Sequence, residues 1–206
     1  MHPPTLEGHL VRLEPLTPAH AAALAHAAAG ADPALYRWTQ VPRTLDEAAR
    51  YIAAALAMQA AGTALPFATV RCSDDMVVGS TRLFNIERWA WPAEHLRYGR
   101  AEGDVAEIGY TWLSTSAIRS GINTEAKLLL LTHAFEQLQM LGVCLHTDAR
   151  NLRSRAAMER IGARFDGILR AHRLATDLTA RDSARYSFVI TEWSAVKLQI
   201  EGLLRR

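Results

Sequence analysis

EIGYTWLSTSAIRSGINTEAKLLLLTHAF, Glu107 to Phe135, reads as a strand that runs into a small-residue loop and then into a long helix. Ile108, Tyr110 and Trp112 alternate with Glu107, Gly109 and Thr111, and this β-branched and aromatic content suits a pleated surface. From Leu128 the apolar positions Leu128, Leu131, Phe135 and Leu138 recur three and four apart, so the helical period takes over. Asn123 or Thr124 is the expected cap, Glu125 falls in the first turn, and Gly142 is expected to end the helix in a left-handed C′ conformation. Between them, Ser114, Ser116, Ala117, Ser120 and Gly121 keep side chains small, so a ligand can approach the main chain. A helix start carries unpaired N–H groups and the positive end of the dipole, and Arg119 adds charge, so the stretch predicts a phosphate site. Neither Gly-Lys-Ser/Thr nor the Rossmann glycine triplet is present.

Outward from this stretch the chain alternates. His9 to Glu14 reads as a strand, and Thr17-Pro18 opens an Ala-rich helix that ends near Gly30. Thr44 and Glu47 form a capping box ahead of a helix to about Ala61. Leu65 to Cys72 and Met76 to Ile86 read as strands joined by a tight turn, followed by a long loop, Glu87 to Asp104. Beyond the central stretch come a strand Val143 to Ala149, a helix Leu152 to Ile161 closed by Gly162, strands Arg164 to Arg170 and Ala184 to Thr191, and a last helix carrying Trp193, Val196, Ile200 and Leu203. That order predicts an α/β layered sheet of mixed strand direction in one domain, residues 1–206.

Composition sets the bounds. Half the 206 residues are hydrophobic, enough for a real core. A formal charge of +2 without any Lys/Arg run argues against nucleic acid. The start, MHPPTLEGHL, lacks the basic and apolar regions of a signal peptide, and no apolar run approaches a membrane span. Cys72 and Cys144 lie in apolar strand-like runs and read as free thiols, so a cytoplasmic location is expected. The eight histidines show no helical metal-ligand spacing, and no metal is expected. His146 and Asp148 alternate on one strand face, but with no strained elbow around Ser154 a triad reads as coincidence.

The loop and helix start resemble the pyrophosphate loop of the GNAT superfamily of N-acetyltransferases, whose pattern is Gln/Arg, two residues, Gly, one residue, then Gly or Ala. Gly121 falls on the Gly, while Ile118 stands in the Gln/Arg place and Asn123 in that of the last Gly or Ala. TDARNLRSRAAMERIGARFDGILRAH, Thr147 to His172, is similar to the next strand and helix in the ribosomal-protein-alanine acetyltransferase branch, the RimJ/RimL-like one. The resemblance implies a mixed, mostly antiparallel central sheet splayed at strands 4 and 5, with helices on both faces. It implies acetyl-CoA as co-substrate, held by Leu113, Arg119, Ser120, Gly121, Ile122, Asn123, Thr124 and Asn151. It also implies an amine acceptor, a protein N-terminus or a small molecule, with direct transfer in a ternary complex. Acylation of an aminoglycoside or polyamine, use of succinyl-CoA, and a non-catalytic CoA-binding module are the alternatives.

Acyl transfer from a thioester to an amine needs a proton acceptor, a donor for the oxyanion and help for the departing thiolate. Glu107 lines up with the carboxylate that is general base in the histone-modifying branch, and reads equally as a solvated charge at a strand start. Many superfamily members place a tyrosine acid where this chain has Met158, which cannot donate a proton. With Asn151 as N-cap, Ser154 sits one turn in on the face of Ala157, Met158 and Ile161, and is assigned the thiolate side; a serine filling a gap is the rival reading. Trp38, Trp89 and Trp91 lie in loops and are expected to line the acceptor site; a homodimer contact or loop packing is the equal alternative.

Overall fold

The computed structural model describes residues 3–205; the first two residues of the MHPPTLEGHL start and the last residue of the chain lie outside it. Eight strands form one sheet: β1 (Leu6–Glu7), β2 (Val11–Pro15), β3 (Ala64–Arg71), β4 (Met76–Glu87), β5 (Val105–Leu113), β6 (Gly142–Asp148), β7 (Arg164–Leu174) and β8 (Ala180–Val189). Their order is β1-β2-β3-β4-β5-β6-β8-β7, and only the β5–β6 neighbours run parallel. Helices α1 (Ala21–Ala28) and α2 (Leu45–Ala60) precede β3, α3 (Ile122–Thr132) joins β5 to β6, α4 (Leu152–Arg160) joins β6 to β7, and α5 (Trp193–Leu204) ends the chain.

Two cores on opposite faces hold the sheet. On one, Leu130, Leu131, Phe135, Trp193 and Ile200 pack against Ile108, Val143, Leu145, Tyr186 and Phe188. On the other, Leu24, Ala28, Ala48, Ile52 and Ala55 of α1 and α2 bury Ala68 and Trp112. Strand alternation produces this division: Leu145 faces α3 and α5 while its neighbours Cys144 and His146 face the other way.

The feature that positions the site is the failure of β5 and β6 to stay together. Their ladder holds only Val105↔Gly142, Ala106↔Val143 and Glu107↔Cys144. Beyond Glu107, β5 carries a bulge against β4, between Ser80 and Arg82, where Tyr110 takes φ +52°. A bulge bends its strand and raises its twist, so β5 turns away from β6 and leaves a wedge open toward Leu113 and Asp148. With the two-residue β1 set aside, these are the fourth and fifth strands.

Two local expectations are corrected. Gly121, at φ +83°, is the N-cap of α3 with no side-chain cap, so Asn123 and Thr124 lie inside the first turn; a left-handed residue there is cheapest as glycine. Gly142 does not close the helix. After Thr132 the chain widens into a π-turn, His133–Gln137, Gln139 takes the left-handed conformation at φ +51°, and Gly142 opens β6. The remaining elements stand within a few residues of the expected bounds, apart from a longer β7 and an earlier β8.

Candidate active site

At the open end of the wedge, Ser114 follows β5 into a short 3-10 turn, Thr115–Ala117, and then Arg119 at φ +63° and Gly121 at φ +83° bracket Ser120. The turn is fastened internally, with Ser120 Oγ donating to the Ala117 carbonyl at 2.6 Å. The first-turn N–H groups of Ile122, Asn123 and Thr124 cannot bond within their own helix, and no side chain caps them. Arg119 stands exposed beside them. The left-handed glycine, the uncapped helix start and the neighbouring guanidinium fit a pyrophosphate. Leu113 ends β5 with its carbonyl accepting from Tyr36 Oη at 3.0 Å. The helix start is set by Glu125, whose buried carboxylate accepts N–H bonds from His9, Leu10 and Val11 at 3.0, 2.7 and 2.9 Å and so ties α3 to the β1–β2 turn.

At the closed end stands a buried charged cluster. Glu107 is 3% exposed and accepts from Arg173 Nη1 at 3.1 Å, Arg173 Nη2 at 2.5 Å and Asn85 Nδ2 at 3.1 Å. His146 Nδ1 lies 3.0 Å from Glu107 Oε1, at ion-pair distance though off the line of a good hydrogen bond. Burial pushes the Glu107 carboxyl up, but His146 and Arg173 outweigh it and hold the group below the usual carboxylate range. The carboxylate is therefore ionised and already answered by donors, which makes it a weak proton acceptor by itself. Cys144, beside it, is pushed up to about 12 by burial and by the Glu107 charge. Glu107, Cys144 and His146 bring three potential ligand atoms within 4.8 Å of one another, but a thiol that stays protonated and a carboxylate bound to Arg173 are a poor donor set for a metal.

The two ends lie on opposite sides of β6. Asn151 Oδ1 caps α4 by accepting from Ser154 N–H at 3.1 Å, as its sequence position predicts. Ile161 is buried and Met158 packs on the α3–α5 core, so α4 covers that side, with Ser154 on the same helical face. Glu107 and His146 face the α1–α2 side. A molecule lying in the wedge thus meets α3 and α4 on one side and the Glu107 cluster on the other.

The tryptophans separate. Trp38, in the α1–α2 loop, lies between the guanidinium groups of Arg37 and Arg150, each 4.8 Å from its ring, beside the open end of β6. Trp91 Nε1 donates to Asp104 at 2.9 Å and its ring stacks on His95, while the main-chain N–H of Trp89 donates to the same carboxylate, so this segment is pinned at the closed end. Sequence reasoning passed over His146, Arg173 and Arg82. The last is buried between the rings of Tyr51 and Tyr110, at 4.9 and 3.8 Å, and supports the bulge from beneath. Only the alternation of His146 with Asp148 signalled any of them.

A mixed sheet split between a parallel strand pair, with an uncapped helix start at the mouth and a buried carboxylate at the vertex, defines an acyl-CoA-type transferase scaffold. The description of the acetyltransferase (GNAT) domain matches residues 11–164, and the chain belongs to this acetyltransferase family and is an acyltransferase enzyme. A relative from Bacillus subtilis (strain 168), named "Putative ribosomal N-acetyltransferase YdaF", is 37% identical over 92 residues, 45% of this chain and 49% of its own length, so the match spans about half of that relative. A GCN5-related N-acetyltransferase from Brucella melitensis superposes with TM-score 0.80 at 28% identity, covering 97% of this chain and 84% of that one. Mycobacterium smegmatis RimJ, solved in complex with CoA-disulfide, shares the fold at TM-score 0.80 and 24% identity, covering 100% and 98%. The expected GNAT superfamily is thus shown, and the family uses acetyl-CoA. Among the described residues no helix is long and apolar enough to cross a membrane.

Proposed function

We propose that this enzyme transfers an acetyl group from acetyl-CoA directly to a protein N-terminal amine within a ternary complex. The observation that carries the reading is the wedge itself: Gly121 and the α3 start at its mouth, Ser154 on one side and the Glu107 cluster on the other. The pyrophosphate rests on the N–H groups of Ile122, Asn123 and Thr124, with Arg119 and Ser120 beside it, so the departures at Ile118 and Asn123 cost affinity without removing the site. Leu113 and Asn151 flank the arm of the co-substrate; the Asn151 side-chain oxygen is committed to its cap, so its amide N–H is the group free to donate. Ser154 steadies the departing sulfur. The cluster at Glu107 receives the proton of the acceptor ammonium. The acceptor reaches it from the α1–α2 side, past Trp38, with Trp89 and Trp91 bordering the closed end.

The name of the Bacillus subtilis relative, a ribosomal N-acetyltransferase, supports a ribosomal protein as acceptor. The test is release of CoA thiol from acetyl-CoA and from succinyl-CoA, without and with peptides beginning in alanine or serine, an aminoglycoside and a polyamine. Release above background with the peptides and acetyl-CoA is expected. Selective turnover of a small amine or of succinyl-CoA would replace this acceptor or donor, and CoA binding with no turnover of any amine would leave a binding module.

A further inference from the structure

We propose that His146 Nε2 is the atom that takes the proton from the acceptor ammonium, and that Glu107 is the positioning carboxylate behind it. The inference rests on the N-acyltransferase reading and specifies the proton path within it.

His146 stands on β6 two residues beyond Cys144, the last residue paired with β5, and so borders the wedge at the point where it opens. Its side chain is 5% exposed, and neither ring nitrogen has a hydrogen-bond partner among the described residues. With Nδ1 turned to Glu107, Nε2 is the buried ring nitrogen left with no partner, and a fold rarely retains such a group except where a ligand or reaction uses it. The geometry orders the two. Nδ1 looks at Glu107 Oε1, 3.0 Å away, so the tautomer with its proton on Nδ1 is favoured and the lone pair of Nε2 is left for an incoming proton.

Charge decides between the carboxylate and the ring. A proton placed on Glu107 would weaken its bonds from Arg173 and Asn85; a proton placed on His146 creates an ion pair with Glu107. The other groups facing the ring do not favour a charge there. From β7, Arg173 is spent on Glu107, and the His172 ring lies 4.8 Å away, its basicity lowered by burial and by Arg173. From β8, Arg185 is held by Asp166, and Arg181 donates to Ser183 without a carboxylate partner among the described residues. On β6 itself Asp148 is bound by Arg150 and Cys144 stays a thiol. Glu107 is thus the group that stabilises an imidazolium at this position. His172 is partly exposed, on a β7 bulge where Ala171 takes φ +46°, and gives the proton a way out to solvent.

The step balances. The ammonium gives one proton to Nε2, and its freed lone pair attacks the thioester carbonyl. The C–N bond forms, the C–S bond breaks, and the nitrogen's second surplus proton neutralises the thiolate. His146 then returns its proton to solvent, for one acetamide, one CoA thiol and one released proton.

The test is the pH dependence of kcat/KM for a peptide beginning in alanine with acetyl-CoA, in wild type, His146→Gln and Glu107→Gln, with CoA affinity by calorimetry. A ring nitrogen acting as base gives kcat/KM an acidic limb, because its protonated form cannot accept the proton. His146→Gln should lose that limb and about a hundredfold or more of kcat with CoA affinity unchanged. Glu107→Gln should lose rate but keep a limb, moved to lower pH, because the imidazolium has lost its counter-charge. A limb that survives in His146→Gln and disappears in Glu107→Gln overturns the proposal and makes the carboxylate the base. If wild type does not acetylate the peptide, the acceptor reading fails separately. NMR titration of the His146 ring then decides: movement to lower pH in Glu107→Gln supports the pairing, and an unmoved ring overturns it.

Discussion

Lys127→Met should stabilise the protein at neutral pH and below, and the gain should fade as the solution becomes alkaline. Lys127 lies on α3, 5% exposed, with Nζ donating to Thr111 Oγ1 at 2.7 Å, which in turn bonds Thr81 Oγ1 at 2.8 Å. Burial pushes the ammonium from its ordinary 10.5 down to about 7. In the unfolded chain the group keeps its proton up to about pH 10.5, so between about 7 and 10.5 unfolding takes up a proton and stability rises with pH. Below about pH 7 the full cost is present, about 5 kcal/mol for a displacement of that size, and above 10.5 it is gone. Methionine has similar length and no charge, so after loss of the Thr111 bond the expected net gain at pH 6 is roughly 2–4 kcal/mol. Urea unfolding of both proteins at about pH 6, 8 and 10 measures it. A gain that is the same at all three, or a loss at pH 6, would refute the reasoning.

Gly121→Ala places a Cβ 2.9 Å from Leu10 Cδ1 on a residue at φ +83°, so it should cost about 1–2 kcal/mol of stability and weaken CoA binding several-fold by calorimetry. Glu125→Ala strands the N–H groups of His9, Leu10 and Val11 and should lower stability by about 3 kcal/mol or more in urea, with CoA affinity falling because the α3 start loosens. Ser154→Ala should lower kcat more than it weakens acetyl-CoA binding, because its interaction strengthens only as charge gathers on sulfur; wild-type turnover would make the serine packing.

Much of the fold was legible because it rests on local signals. The β-branched and aromatic run at Ile108, Tyr110 and Trp112, the Thr44–Glu47 box and the Asn151 cap each name an element by its own chemistry, and each element stands in the structure, although the bulge at Tyr110 breaks the alternation and sends Ile108 and Trp112 to opposite faces. The errors fall where local signals compete. Asn123 and Thr124 look like caps, yet the left-handed turn at Arg119 and Gly121 places the helix start earlier, and Thr124 Oγ1 instead accepts from Arg160 at 3.1 Å. Gly142 looks like a helix stop, but the π-turn after Thr132 absorbs the change of direction and Gln139 takes the positive φ.

The site divides in the same way. Gly121, Asn151 and the helix start are sequence-local and readable. The Glu107 cluster is not, because Asn85, His146 and Arg173 reach it from three other strands, 22 and 66 residues away for Asn85 and Arg173. The placement of β6 beside β5 and the return of β7 through β8 are decided by packing across the sheet. A charged side chain at a strand start carries no mark of whether it will meet solvent or an arginine.

The central claim is direct acetyl transfer across the wedge to a protein N-terminal amine. Mass spectrometry of a quenched reaction containing enzyme, acetyl-CoA and a peptide beginning in alanine tests it most directly. One acetyl group on the peptide α-amine, with none accumulating on the enzyme at any time point, is the predicted result. A covalent acetyl-enzyme that forms without peptide and then passes its acetyl group on, or an α-amine left unmodified while another amine is acetylated, would contradict it.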